Sequence, residues 1–231
     1  MKDLPTGNHL LEKLAAEDRH AILSQSTPVD FLQGHVFHEP GDPIDQIHFV
    51  ETGIISAVAV LQDGRTVETA MIGREGMTGA LATTVPHHAY TRFVAQIDGR
   101  ARRMDAGRLR TLASERPGLR TAIGAYMAKL QGELEQSVAC NALHRAEQRF
   151  AKWLLACHDR IEGDVINLTQ EYLASMLGSQ RTTVNEAAQA LQRAGAVAYS
   201  RGRMLVRDRP SLERAACECY RPADGPPVPP A

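Results

Sequence analysis

The stretch LTQEYLASMLGSQRTTVNEAAQALQRAGA, residues 168–196, constrains the chain more than any other. Its pattern predicts two short helices joined by a tight glycine turn. Thr169 is placed to cap a first helix over 170–177, Gly178 can take the left-handed turn, and Ser179 can cap a second helix ending near residue 194. A helix-turn-helix needs a small residue where the helices cross, a glycine where the chain reverses and an apolar residue that turns the second helix inward. Ala174, Gly178 and Val184 fill those places. With Val184, Ala188 and Leu191 recurring on the core side, the opposite face shows Gln180, Arg181, Thr182, Asn185, Glu186 and Gln189. These side chains can reach base edges. Taken alone, the window also fits an ordinary helical hairpin.

The chain opens with amphipathic helix, its leucines and isoleucine (Leu10, Leu11, Leu14, Ile22, Leu23) set around Glu17 and Asp18. From about Thr27 the pattern changes to short strands, HVFH, QIHFVE, IISAVAVL, TVETAMI and RFVAQI. Turn signals separate them at Gly34, Pro40-Gly41-Asp42-Pro43, Thr52-Gly53, Asp63-Gly64, residues 73–79 and Asp98-Gly99. Many short strands with glycine turns predict a jelly-roll sandwich or barrel. The clearest hairpin is at 61–65, where Asp-Gly tolerates the positive φ such a turn requires.

At Asp105 the pattern becomes helical again, and Arg116-Pro117 marks a new start for a helix running to 141–143. Along it Ile123, Met127, Leu130, Leu134 and Ser137-Val138 recur at steps of four and three. That is a coiled-coil seam and predicts a homodimer interface, with burial in its own domain as the alternative. Gly124 and Gly132 weaken the helix locally. Residues 146–160 predict a further amphipathic helix that packs Phe150, Trp153 and Leu154 against the helix-turn-helix. Beyond it, 196–199 and 204–206 flank Ser200-Arg201-Gly202-Arg203 as a two-stranded wing with a basic tip. A last helix is expected to reach Cys219, and the proline-rich RPADGPPVPPA ending is expected to be disordered.

A chain of 231 residues with 43% hydrophobic residues can bury two modest cores. Net charge is −1, and a small basic excess lies in 139–231, which permits a DNA partner without requiring one. Cys140, Cys157, Cys217 and Cys219 show no zinc-site spacing and suit a reducing cytoplasm. On a helix, the side chains of Cys217 and Cys219 would diverge. His35 and His38 fall on opposite faces of a strand, unlike the clustered imidazoles of a cupin-type enzyme, and His87-His88 reads as a solvated loop. No nucleophile-base pair emerges. No enzyme activity and no metal are therefore expected. The chain has no membrane-length apolar run and no signal-peptide core at its start, so a soluble cytoplasmic protein is expected.

Over nearly its whole length the chain resembles the Crp/Fnr family of bacterial transcription regulators, through HEPGDPIDQIHFVETGIISAV, IGREGMTGAL and LTQEYLASMLGSQRTTV in that order. The resemblance implies an α+β protein. A cyclic-nucleotide-binding-like jelly-roll sensor would span 1–115, a central dimerisation helix 116–144, a winged helix-turn-helix 145–220 and a tail 221–231. It also implies a homodimer on pseudo-palindromic double-stranded promoter DNA, contact with RNA polymerase, and a jelly roll that senses an effector and controls the helix-turn-helix orientation. The alternative is an effector-binding sensor that acts on a protein partner.

The resemblance carries site residues with it. Arg181 stands where the family reads guanine, since a guanidinium can donate two bonds to O6 and N7. Thr182 can offer its methyl to thymine and Glu186 can accept from a cytosine amine. Gln180, Thr183 and Asn185 complete the reading face, and Thr169, Gln170, Arg201 and Arg203 are placed for the phosphate backbone. The candidate effector pocket comprises Gly79, Ala80, Tyr90, Arg92, Leu134 and Glu135, and the dimer interface Ile123, Met127, Leu130, Leu134 and Val138. Cyclic-AMP-binding members have a glutamate after the turn glycine and a threonine and serine on the central helix. Here those positions hold Ala80, Leu134 and Glu135, and the phosphate-binding arginine matches Arg92 only across a gap. Cyclic AMP is therefore disfavoured and the effector is left open.

Overall fold

A computed structural model describes residues 6–168, 170–200, 202–223 and 225. The chain divides into two compact units, residues 1–57 with 70–131, and residues 58–69 with 132–231. The tip of the 61–65 hairpin thus belongs with the C-terminal part, a grouping the sequence did not suggest.

The first unit begins with α1 (His9–Glu12) and α2 (Ala16–Leu23). Asn8 caps α1 by accepting from the Leu11 amide, and its side-chain amide donates to the carbonyls of Val50 and Gly76 at 2.7 and 2.8 Å. Five strands follow: β1 (Thr27–Phe31), β2 (Val36–His38), β3 (Gln46–Val60), β4 (Thr66–Ile72) and β5 (Arg92–Asp105). They form one sheet in the order β1-β5-β3-β4, with β2 also on β5. The far half of β5 pairs with β1, Thr27 opposite Arg103 through Phe31 opposite Gly99. Its near half pairs with β2 at Phe93 and Val94.

Two expected turns are strand interiors. Gly53 lies inside β3 and Gly99 inside β5, so QIHFVE and IISAVAVL are one strand and RFVAQI runs on to Asp105. The reason is a close approach of backbones. A Cβ on Gly99 would stand 2.0 Å from the Thr52 carbonyl oxygen, and one on Gly53 would stand 2.4 Å from that of Asp98. Asp63-Gly64 does turn the chain as expected, with Gly64 at φ +82° and the Leu61 amide bonded to the Arg65 carbonyl at 2.9 Å.

Asp105 caps α3 (Ala106–Glu115) by accepting from the Arg108 amide at 2.8 Å. Arg116 is extended, as the residue before a proline prefers, and α4 (Pro117–Leu143) starts at the proline. Leu119, Ile123 and Tyr126 of α4 join the apolar core built around Leu11, Ile22, Phe49, Met77 and Leu109. Tyr126 donates to the Met77 carbonyl at 3.0 Å. Ile123, expected at a dimer interface, is 3% exposed and packed in this core, so the single chain already buries it.

The second unit holds α5 (Ala146–His158), β6 (Val165–Asn167), α6 (Gln170–Leu177), α7 (Arg181–Arg193), β7 (Val197–Ser200), β8 (Arg203–Val206) and α8 (Arg209–Ala215). Phe150, Trp153 and Leu154 of α5 are buried as expected, alongside Leu173, Val184 and Leu191. Each such side chain contributes on the order of 1.5–3 kcal/mol when fully buried. The wing has three strands, in the order β6-β8-β7. The three-residue β6 is too short to leave a period in the sequence. The last helix ends at Ala215, short of Cys219. Among the described residues, no helix is long and apolar enough to cross a membrane.

Candidate nucleic-acid interface

Helix α7 is built to show one face. Val184, Ala187, Ala188 and Leu191 are buried at helical spacing, whereas Arg181, Thr182, Glu186 and Gln189 are exposed and Thr183 and Asn185 half-buried. Gly178 adopts φ +57° as expected, and the Ser179 amide donates to the Ala174 carbonyl at 3.0 Å. The turn is one residue longer than predicted. Gln180, not Ser179, is the N-cap of α7, and it makes no side-chain capping bond. The Ser179 hydroxyl instead donates to the Leu177 carbonyl and accepts from Arg149, 3.2 Å away.

Arg149 was not singled out by the sequence. Its other guanidinium nitrogen donates to Asn141 at 2.7 Å, so this side chain on α5 ties the end of α4 to the helix-turn-helix turn. The hairpin tip packs on the same region. A Cβ on Gly178 would stand 3.1 Å from a Val67 methyl, the Thr66 and Ser175 hydroxyls are hydrogen-bonded, and the Trp153 indole donates to Glu68 at 2.9 Å. An arginine at the pattern spacing of an amphipathic helix gives no hint of such a bridge, because its partners lie far off in sequence.

Of the residues expected to touch phosphates, Arg203 is exposed on β8, paired across the wing with Asn167 and Ser200. Thr169 and Arg201 lie outside the described residues, as does the side chain of Gln170. The exposed face of α7 presents a guanidinium, hydroxyls, amides and one carboxylate, the donor and acceptor set that distinguishes base pairs in the major groove.

The residues expected to form an effector pocket are divided between the units. Gly79, at φ +63°, precedes a 3-10 turn over Ala80–Thr83 in which Ala80 is buried. Arg92 pairs with Glu39 at 2.9 Å. Tyr90 is 81% exposed and stacks on His87. Leu134 and Glu135 belong to the second unit.

One sequence expectation, about cysteine, does not hold. His35, exposed, lies edge-on to Phe37, and His38, buried, lies edge-on to Phe93, so the two imidazoles keep different neighbours beside a cleft of about 450 Å³ that His48, Asp45 and Arg103 also line. His48 is buried, and burial first, then the charges of His38, Arg103 and His35, lowers its pKa to about 3. Cys217 and Cys219, expected to diverge on a helix, form a buried cluster with Cys140. The chain leaves the helix before Cys217, so the argument that side chains two apart must diverge does not apply.

Residues 28–116 match the cyclic nucleotide-binding domain, and residues 148–215 match the Crp-like helix-turn-helix domain. A β domain of this kind, a long helix and a helix-turn-helix in that order define a transcription regulator with a DNA-binding helix-turn-helix. The chain belongs to the Crp/Fnr family. It is 27% identical over 203 residues to the CRP-like cAMP-activated global transcriptional regulator of Mycobacterium tuberculosis, covering 85% of this chain and 91% of that one. It is 28% identical over 194 residues to the transcriptional regulator LdrP of Thermus thermophilus, covering 80% and 95%. Its fold is similar to that of a CRP-family transcriptional regulator from Thermus thermophilus, with a TM-score of 0.70 at 18% identity over 84% of this chain and 98% of that one.

Proposed function

We propose that the chain works in the cytoplasm as a homodimer that places α7 of each protomer in successive major grooves of a pseudo-palindromic promoter site, contacts RNA polymerase there, and is set by an effector other than cyclic AMP. The observation that carries this reading is the two-sided α7, apolar and buried at Val184, Ala188 and Leu191, polar and exposed at Arg181, Thr182, Glu186 and Gln189. Arg181 reads a guanine, Thr182 and Glu186 its neighbours, and Arg203 a phosphate. The dimer is supported by apolar side chains left open on α4, with Leu130 and Leu134 half-buried and Val138 71% exposed on one chain.

The Mycobacterium tuberculosis relative is cAMP-activated. In this chain Ala80 lacks an acceptor for a ribose hydroxyl, and Arg92 already holds the Glu39 carboxylate. Both features weigh against an anionic cyclic nucleotide in that place.

The test is fluorescence anisotropy on a duplex enriched from a random library, titrated over a range of salt. Affinity should fall steeply with salt, with a slope of about 0.9 per phosphate neutralised, while preference over scrambled duplex persists. Binding that ignores both salt and sequence would overturn the proposal in favour of a protein partner.

A further inference from the structure

The second unit brings together four side chains with the donor atoms of a metal site. Cys140, His144, Cys217 and Cys219 each offer one donor atom, and all four atoms lie within 4.8 Å of one another. Cys140 lies in the last turn of α4, and His144 is the residue just beyond the helix, its amide donating to the Cys140 carbonyl at 3.1 Å. Cys217 and Cys219 follow the C-cap of α8 at Ala216, in irregular chain. All four cysteines of the chain are free thiols.

The spacing fits a tetrahedron. Zinc–sulfur bonds of about 2.3 Å and zinc–nitrogen bonds of about 2.0–2.1 Å set ligand separations of about 3.8 Å for two sulfurs and about 3.5 Å for sulfur and nitrogen. Here the Cys140 and Cys217 sulfurs are 3.6 Å apart, and the Cys219 sulfur is 3.5 Å from Nδ1 of His144. The surroundings support the same reading. Nε2 of His144 faces the Glu218 carboxylate at 3.1 Å, the arrangement that leaves Nδ1 with its lone pair for a metal. The Gln136 amide donates to the Cys219 sulfur at 3.0 Å. The three cysteines are no more than 6% exposed, which leaves the site closed, as structural rather than catalytic sites are.

We propose that Cys140, His144, Cys217 and Cys219 form a tetrahedral zinc site that clamps the chain after α8 onto the C-terminal turn of α4. Three soft thiolates and an imidazole select zinc over magnesium or calcium. The clamp fixes the point where α4 leads into α5 and the helix-turn-helix. At the far end of α5 the Arg209 guanidinium and the Tyr220 hydroxyl both bond to Asp159, the C-cap of that helix. Ligand pairs so far apart in sequence leave no short motif.

The experiment measures metal in the full chain, purified with reductant and without chelator, by mass spectrometry of the elements. One zinc per chain is expected in wild type and in Cys157→Ser, and far less in Cys219→Ser and His144→Gln. Replacement by cobalt should give tetrahedral d–d bands with thiolate charge transfer, and Glu218→Gln should weaken metal affinity about ten- to a hundredfold. Thermal melting of wild type should fall on addition of a zinc chelator. Reduced wild type that is folded, carries no metal and binds neither zinc nor cobalt overturns the proposal. So does a Cys140 to Cys217 disulfide in place of the metal.

Discussion

His48 gives the most quantitative prediction. It sits at 6% exposure in β3, with its backbone amide donating to the Thr78 hydroxyl at 3.0 Å and its ring Nδ1 3.3 Å from the same oxygen. Burial leads the causes that lower its pKa from 6.5 to about 3, followed by the charges of His38, Arg103 and His35. Between those values the unfolded chain binds a proton on His48 that the folded chain refuses. Stability from this group is therefore complete above pH 6.5 and is lost as pH falls toward 3. Each pH unit inside the window removes up to about 1.4 kcal/mol, so the whole window is worth several kcal/mol. Urea unfolding at a series of pH values should show a steep loss of stability for wild type. The loss should be shallower for His48→Gln, which stays neutral throughout. Parallel curves for the two proteins would refute the reasoning, because other groups that titrate in this range are common to both.

Three further outcomes follow. Leu130→Asp combined with Leu134→Asp puts charges on the open α4 seam and should turn dimers into monomers in equilibrium sedimentation; an unchanged dimer would place the interface elsewhere. Gly99→Ala forces a Cβ against the Thr52 carbonyl 2.0 Å away and should destabilise the first unit by at least about 1–3 kcal/mol in thermal melts, whereas an unchanged Tm would contradict the close approach. Cyclic AMP should bind weakly by calorimetry, since each buried polar group left unpaired costs on the order of 1–3 kcal/mol; micromolar binding that also tightens DNA affinity would sink that expectation.

The helix-turn-helix was legible because its signals are local. Ala174, Gly178 and Val184 sit at fixed spacing, and the apolar period of α7 sorts its faces without any distant information. Ser179 shows the limit, since a capping residue type one position early looked as good as the true boundary at Gln180. What the sequence missed is non-local. Gly53 and Gly99 looked like turns because a glycine demanded by a neighbouring backbone has the same letter as one in a turn; Gly53, at φ +79°, answers to both demands, Gly99 to the close approach alone. Ile123 fits the helical seam, yet its burial depends on the packing of α1 to α3 beneath it. Arg149, the hairpin tip against Trp153, and the Cys140, His144, Cys217 and Cys219 cluster each join segments that carry no mark of one another. The effector residues were read by alignment alone, and the Glu39 partner of Arg92 is visible only in three dimensions.

The central claim is that the exposed face of α7 reads bases while the wing holds the backbone. Binding-site selection with wild type, Arg181→Ala and Arg203→Ala tests it directly. Wild type should yield a symmetric site with one guanine in each half. Arg181→Ala should relax preference at that guanine alone, at a cost of about 1–3 kcal/mol, and Arg203→Ala should weaken all sequences alike. If Arg181→Ala lowers affinity uniformly and leaves the selected sequence unchanged, α7 does not read DNA through this face.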